Sequence, residues 1–213
     1  FTQMNKYKHI IWDWNGTLFD DVHLCKDIIN GILSRRNLPV LSLEEYRDIF
    51  TFPVKNYYAK AGLDFSIESF EILGKEWMDE YQERRNECKI FDEAKNAISL
   101  FSDKSITQSI LSAYPQDSLL EVVKQNDIYK YFSNIVGLDN IYATSKVELG
   151  KNLIKNLNGS GNSVVLIGDT LHDHEVAYEI GADCLLIANG HQSKEKLLTA
   201  GVPVYDSIQQ LLD

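Results

Sequence analysis

Three acids, a serine and a lysine fall at positions where α/β proteins carry out chemistry. Asp13 closes the apolar run "IIW", Asp169 and Asp173 lie in "GDTLHD", and Ser112 and Lys146 come between them in the chain. Carboxylates brought to one place repel each other and are pushed toward protonation unless a cation neutralises them. A hard divalent ion with oxygen ligands resolves that conflict. Mg²⁺ fits best, because it takes few carboxylates and leaves places for water and a substrate phosphate. Helix capping alone would account for an Asp in "GD" or in "DWNGT". It does not account for both, together with Ser112 and Lys146 in this order.

These residues need elements to deliver them to one edge. Short, continuously apolar runs at 9–14, 107–113, 134–137, 163–169, 184–188 and 202–205 read as strands covered on both faces. Helical stretches at 92–104, 115–126, 146–157, 173–180, 193–200 and 207–212 fill the gaps, with Gly, Pro or Asn at many boundaries. The alternation predicts a doubly wound parallel α/β sheet of Rossmann-like form, whose ligands bind beyond the carboxyl ends of the strands. From about 20 to 90 no strand is predicted. Pro39, "FP" at 52–53 and "AGLDFS" at 61–66 divide that interval into about four helices. The expected organisation is therefore a core of 4–19 and 91–213 with an all-helical cap of 20–90 over the carboxyl edge. "NGSGN" at 158–162 lacks the Gly-Lys-Ser/Thr ending of a phosphate loop and reads as a plain turn.

Composition narrows the functional classes. With 213 residues, 44% of them hydrophobic, the chain can bury a full core. A formal net charge of −10 disfavours nucleic acid and acidic membrane surfaces as partners. No apolar run approaches the ~20 residues of a membrane helix. Cys25, Cys88 and Cys184, odd in number and far apart, fit reduced packing residues and a cytoplasmic location. Met4 is a plausible natural start, so Phe1–Gln3 carry no argument.

"DWNGTLFD", then "SILSA", a lysine and "GDTLHDHEVA" resemble the haloacid dehalogenase (HAD) superfamily, whose usual first motif is Asp-x-Asp-Gly-Thr. The resemblance covers essentially the whole chain and is similar, within the superfamily, to the phosphoglycolate phosphatase-like branch. It implies that Asp13 attacks phosphorus and forms an aspartyl-phosphate. It also implies a Mg²⁺ site made by Asp13, the backbone carbonyl of Asn15, Asp169 and Asp173. Ser112 and Lys146 would hold the phosphoryl oxygens, with Trp14, Gly16, Thr17 and Ala113 beside them. Gly16 permits the tight turn that brings backbone N–H groups to an anion. Lys146 is preferred over Lys151 because it opens its helix, whereas Lys151 reads as a solvated surface residue.

Asn15 departs from the pattern, since the family acid at this position protonates the leaving oxygen and then deprotonates water. Loss of such a group typically costs about 10²- to 10⁴-fold. Reversion to Asp is therefore expected to raise turnover. A slow phosphatase, a substitute proton donor such as His23 or His172, and an altered position all fit. So does a metabolite-binding or regulatory protein with little turnover. A phosphonate hydrolase would need a Schiff-base lysine, for which Lys26 and Lys55 are the early candidates. In "FTFPVKNYYAKAG" Lys55 is a candidate substrate contact and Phe52 a candidate lid residue. His172 and His174, two apart, do not share a helix face and do not make a zinc site. His191 falls near the active edge. The expected ligand is a small phosphorylated metabolite, and the expected assembly a monomer or homodimer.

Overall fold

The computed structural model describes residues 4–138, 145–157 and 163–212. Six parallel strands, β1 (His9–Trp12), β2 (Thr107–Pro115), β3 (Asn134–Leu138), β4 (Val164–Gly168), β5 (Asp183–Ile187) and β6 (Val204–Tyr205), form one sheet in the order β3-β2-β1-β4-β5-β6. The chain winds outward from β1 through β2 and β3, then returns to the other side of β1 for β4 to β6. This reversal opens a crevice beyond the carboxyl ends of β1 and β4. Register puts Trp12 beside Ile110 and Ile167, so Asp13 and Asp169 leave the sheet as neighbours.

The strands are apolar throughout because both faces are buried. Ile10, Trp12, Ile110, Val165, Ile167, Leu185 and Ile187 point into one core with Ala94, Ile98 and Phe101 of α5 (Asp92–Asp103) and Leu119, Val122 and Val123 of α6 (Gln116–Gln125). Ile11, Leu111, Val164, Leu166, Cys184 and Leu186 point to the other core. There they meet Leu153 of α7 (Lys146–Asn156), Val176, Ala177 and Ile180 of α8 (Leu171–Ile180) and Leu197 of α9 (Lys194–Leu198). The period-two alternation of the strands thus divides the interior in two. The stretch at 207–212 forms a 3₁₀ turn over Ile208–Leu211 rather than an α-helix. The turn predicted at 158–162 and residues Phe1–Gln3 lie outside the described residues.

Between β1 and α5 the chain makes four helices, α1 (Val22–Arg35), α2 (Leu43–Ile49), α3 (Val54–Lys60) and α4 (Phe70–Arg84). Ser42 and Glu45 form a capping box on α2, and the Ser69 hydroxyl accepts from the Ile72 N–H on α4. Helix α1 packs against α4 and buries Leu24, Ile28, Ile29, Ile32 and Leu33. Where the chain leaves the sheet and returns, it runs antiparallel. The Asp20 N–H donates to the Lys89 carbonyl (2.9 Å), the Phe91 N–H donates to the Leu18 carbonyl (3.0 Å), and Phe19 pairs with Ile90. All three cysteines are free thiols, with Cys25 and Cys184 buried. Among the described residues no helix is long and apolar enough to cross a membrane.

Candidate active site

The structure brings Asp13, Asp169, Asp173 and Lys146 together. Carboxylate oxygens of the three acids lie within 4.8 Å of one another, all buried. The Lys146 ammonium donates to Asp13 Oδ1 (2.5 Å) and to Asp173 Oδ1 (2.6 Å). As the first residue of α7, capped by the Ser145 hydroxyl at the Glu148 N–H, Lys146 is turned back onto the sheet edge. Lys151 lies farther along the same helix and, among the described residues, reaches Glu148 and Glu179 at 3.9 and 3.5 Å on the surface.

Each acid is held differently. Asp13 receives its backbone bond from β4, its N–H donating to the Ile167 carbonyl at 2.9 Å. Asp169 Oδ1 accepts from the Thr17 hydroxyl (2.8 Å) and Oδ2 from the His191 backbone N–H (2.6 Å). Asp173 Oδ2 accepts from the Asp169 and Thr170 N–H groups and the Thr170 hydroxyl at 2.8–3.2 Å. Capping and site roles therefore coincide at Asp173, which forms a capping box with Thr170 on α8 while one oxygen serves Lys146.

Burial, then the charges of Asp173 and Asp169, raise the Asp13 carboxyl far above the ordinary carboxylate range, against the pull of Lys146. Burial also raises Asp169. For Asp173, burial is outweighed by the Lys146 ammonium and the Thr170 hydroxyl, and the carboxyl is lowered. Lys146 in turn is raised by Asp13 and Asp173 although burial opposes it. Three carboxylates and one ammonium leave a formal charge of two minus. An all-oxygen donor set with that surplus suits a hard divalent cation.

The loop after β1 is wound tightly. The Trp14 carbonyl accepts from the N–H groups of Thr17, Leu18 and Phe19 at 3.0–3.2 Å. Gly16 has φ +76, and a Cβ there would collide with Asp169 and His191, so both conformation and space require glycine. Gly190 is constrained by space alone, since a Cβ would run into the Asp169 carboxylate. Gly190→Ala is expected to displace Asp169 and reduce turnover about 10²-fold. A crystal structure of the variant with Asp169 unmoved, or unchanged steady-state rates, would contradict this.

Some expected contacts fall elsewhere. The Trp14 ring is fully buried and stacked on Phe19 (centroids 5.2 Å apart, 14°), so it packs rather than lining a phosphate pocket. Lys55 is exposed on α3, its ammonium over the rings of Phe65 and Phe70 at 5.3 and 6.0 Å, because α3 turns Tyr57 and Tyr58 inward instead. Among the described residues no hydrogen bond or ion pair joins it to Asp13. Ser112 is buried at the β2 irregularity, its hydroxyl accepting from the Tyr114 N–H (3.1 Å), and Ala113 beside it is exposed. Phe52 sits against His172, ring centroids 4.9 Å apart.

Neither His23, which is exposed, nor His172, which meets Glu175 at 3.2 Å, reaches Asn15. The imidazole at the site is His191. Asn15 Nδ2 donates to Asp21 Oδ2 (2.8 Å) and to the Tyr81 hydroxyl (2.8 Å), which itself donates to Asp21 Oδ2 (2.7 Å). His191 Nε2 meets Asp21 Oδ1 at 3.1 Å and its Nδ1 meets the Tyr46 hydroxyl at 2.9 Å. Burial is outweighed at Asp21 by His191 and by the bonds from Asn15 and Tyr81, so its carboxyl is lowered. The Cys25 thiol, 3.6 Å from Asp21 Oδ2, is pushed well up by burial and that neighbouring charge, which makes it inert as a nucleophile. Asp21, Tyr81 and Tyr46 were not indicated by the sequence. The "DD" at 20–21 following the loop was the one available signal.

Solved structures share this fold across nearly the full chain. A haloacid dehalogenase-like hydrolase from Streptococcus pneumoniae superposes with a TM-score of 0.81 at 18% identity, covering 98% of both chains. A predicted phosphatase from Clostridium acetobutylicum does so at 0.79 and 20%, covering 96% of both. In sequence, a soluble P-type ATPase-like phosphatase of Methanocaldococcus jannaschii is 26% identical over 196 residues, 90% of this chain. The chain spans 65% of that relative's length. A phosphoglycolate phosphatase of Vibrio parahaemolyticus is 21% identical over 225 residues, covering 97% of this chain and 95% of its own. The family model for haloacid dehalogenase-like hydrolases matches residues 10–187, from the strand before Asp13 to the end of β5, and the chain belongs to that family.

Proposed function

We propose that this protein is a Mg²⁺-dependent phosphohydrolase of small phosphorylated metabolites, acting through an aspartyl-phosphate on Asp13. The observation that carries the reading is the placement of Asp13 at the sheet's crevice with Lys146 on one oxygen and Asp169 and Asp173 alongside. The phosphatase names of the archaeal and Vibrio relatives support it, and phosphoglycolate is the first substrate to try. Helices α1–α4 act as a cap (20–90) on a core of 4–19 and 91–213, excluding bulk water when closed.

In this reading Asp13 attacks phosphorus as the ester P–O bond breaks and the leaving oxygen takes a proton from water, and a second water then attacks phosphorus in the acyl phosphate to return the free carboxylate and inorganic phosphate. Lys146 neutralises charge on the phosphoryl oxygens, and Ser112 offers its hydroxyl hydrogen to one of them. Thr17 and the His191 N–H keep Asp169 oriented. Asp13, Asp169, Asp173 and the Asn15 carbonyl would hold Mg²⁺, which would supply further charge neutralisation beside the phosphoryl group.

A second reading, a metabolite-binding or regulatory protein with little turnover, is favoured by one observation: the amide at position 15 is tied to Asp21 and Tyr81. Incubation with a chromogenic phosphate ester and Mg²⁺ separates the two. Sustained phosphate release that stops on chelation is the expected result. A single stoichiometric burst followed by negligible turnover would instead favour binding.

A further inference from the structure

Asp21 stands at the N-cap of α1, where an Asp side chain ordinarily accepts from the helix's free N–H groups. Here it makes no cap bond, and it is fully buried. Its two oxygens are spent instead on Asn15, Tyr81 and Cys25 at Oδ2 and on His191 at Oδ1. A carboxylate only accepts, so each partner must present a hydrogen. This fixes the Asn15 side chain with its NH₂ toward Asp21 and puts a proton on His191 Nε2.

The partners come from separate parts of the chain. Asn15 belongs to the loop that carries Asp13, and the His191 backbone N–H holds Asp169. Tyr81 lies on α4 and Tyr46 on α2, both in the inserted helices. The same loop of the core is gripped from α2 by Arg47, whose guanidinium donates to the Gly190 and Asn189 carbonyls, each at 2.9 Å. We infer that Asp21 is a positioning residue: a buried acceptor that fixes the Asn15 amide and the His191 ring, completed by the Tyr81 and Tyr46 hydroxyls, so that docking of the inserted helices sets the geometry around Asp13 and Asp169.

The buried Asp21 carboxylate beside Asn15 reverses one expectation from the sequence. An acid at the half-buried position 15 would stand within hydrogen-bond distance of the fully buried Asp21 carboxylate, and two such groups repel. Restoring the family's usual acid alone is therefore harmful. Exchanging both groups, Asn15→Asp with Asp21→Asn, keeps the donors and acceptors among residue 15, residue 21, Tyr81 and His191 matched, and only the long contact from the Cys25 thiol loses its acceptor. The amide at 21 donates to the acid at 15 and still offers its carbonyl to His191, while Tyr81 donates to the acid.

Only the activity arm of the test rests on the phosphohydrolase reading. Thermal unfolding in chelator, followed for the parent, both single variants and the double, decides the pairing by itself. Each single variant is expected to melt about 4–8 °C lower and the double within about 2 °C of the parent. Should the singles fail to fold, a folded double is the same rescue. A single Asn15→Asp variant as stable as the parent, or a double whose losses simply add, overturns the inference. With phosphate ester and Mg²⁺, Tyr81→Phe, which keeps the ring, is expected to lower kcat about tenfold with KM within about twofold. An unchanged kcat in that variant counts against coupling through Tyr81. No turnover in any protein, the parent included, would count against the phosphohydrolase reading and leave the unfolding cycle to decide the pairing.

Discussion

Asp13→Asn is expected to lower steady-state phosphate release roughly 10⁴- to 10⁶-fold, the scale of removing a covalent nucleophile. The substitution keeps the shape of the side chain and removes only the nucleophilic charge. The remaining acids of the cluster, Asp169 and Asp173, are held by Thr17, the His191 N–H and Thr170, so neither is free to replace it. Stability should not explain the loss. Asp13 in the folded protein titrates above its ordinary range, because burial and the charge of Asp173 disfavour its ionised form. A folded-state carboxyl raised in this way costs stability at pH values above the ordinary carboxylate range, where the unfolded chain would ionise freely. In chelator at neutral pH the Asn variant is therefore expected to melt no lower than the parent. Calorimetry beside the kinetic assay checks both halves, and retention of even a hundredth of the activity would reject the nucleophile assignment.

Lys146→Met is expected to have the largest effect on stability. The ammonium is the one cation bonded to Asp13 and Asp173 among the described residues, and it is buried with them. Breaking a buried ion pair by removing one partner costs about 3–5 kcal/mol, since the charge left behind has neither water nor a counter-ion. In chelator the variant should unfold several degrees below the parent. Added Mg²⁺ should recover more stability in the variant than in the parent, because a ligand that binds only the folded state stabilises it by mass action. Equal melting temperatures for variant and parent in chelator would mean that Lys146 does not balance the acids. Turnover should remain low even with the ion present, since the phosphoryl oxygens would have lost their lysine.

The sheet was legible because its strands are buried on both faces, and an uninterrupted apolar run such as "SVVLIG" has few other uses. The acids at strand ends followed from topology, and Lys146 separated from Lys151 because a helix's first residue can turn back to the sheet whereas one a turn and a half along cannot. Trp14 escaped the reading because it lies in a loop, where no periodicity tells inside from outside. Lys55 escaped because the inward face of a seven-residue helix rests on which aromatic residues it must bury, here Tyr57 and Tyr58. The contact between Asp21 and His191 joins residues 170 positions apart, and no local spacing encodes such a pairing. Asn15 looked like a loss when read alone. Beside Asp21 it is the matching half of a donor–acceptor pair.

The antiparallel stitch between 18–20 and 89–91 has a consequence for how this architecture tolerates change. The segment bearing α1–α4 departs and re-enters through adjacent, mutually bonded backbone, so the sheet registers it as little more than a hairpin corner. Length and sequence between those two points are free to drift, or to be traded for another bundle, without altering the spacing of any strand. The price falls on the few side chains that reach across, so a transplanted bundle would need to bring its own hydroxyls to Asp21 and His191.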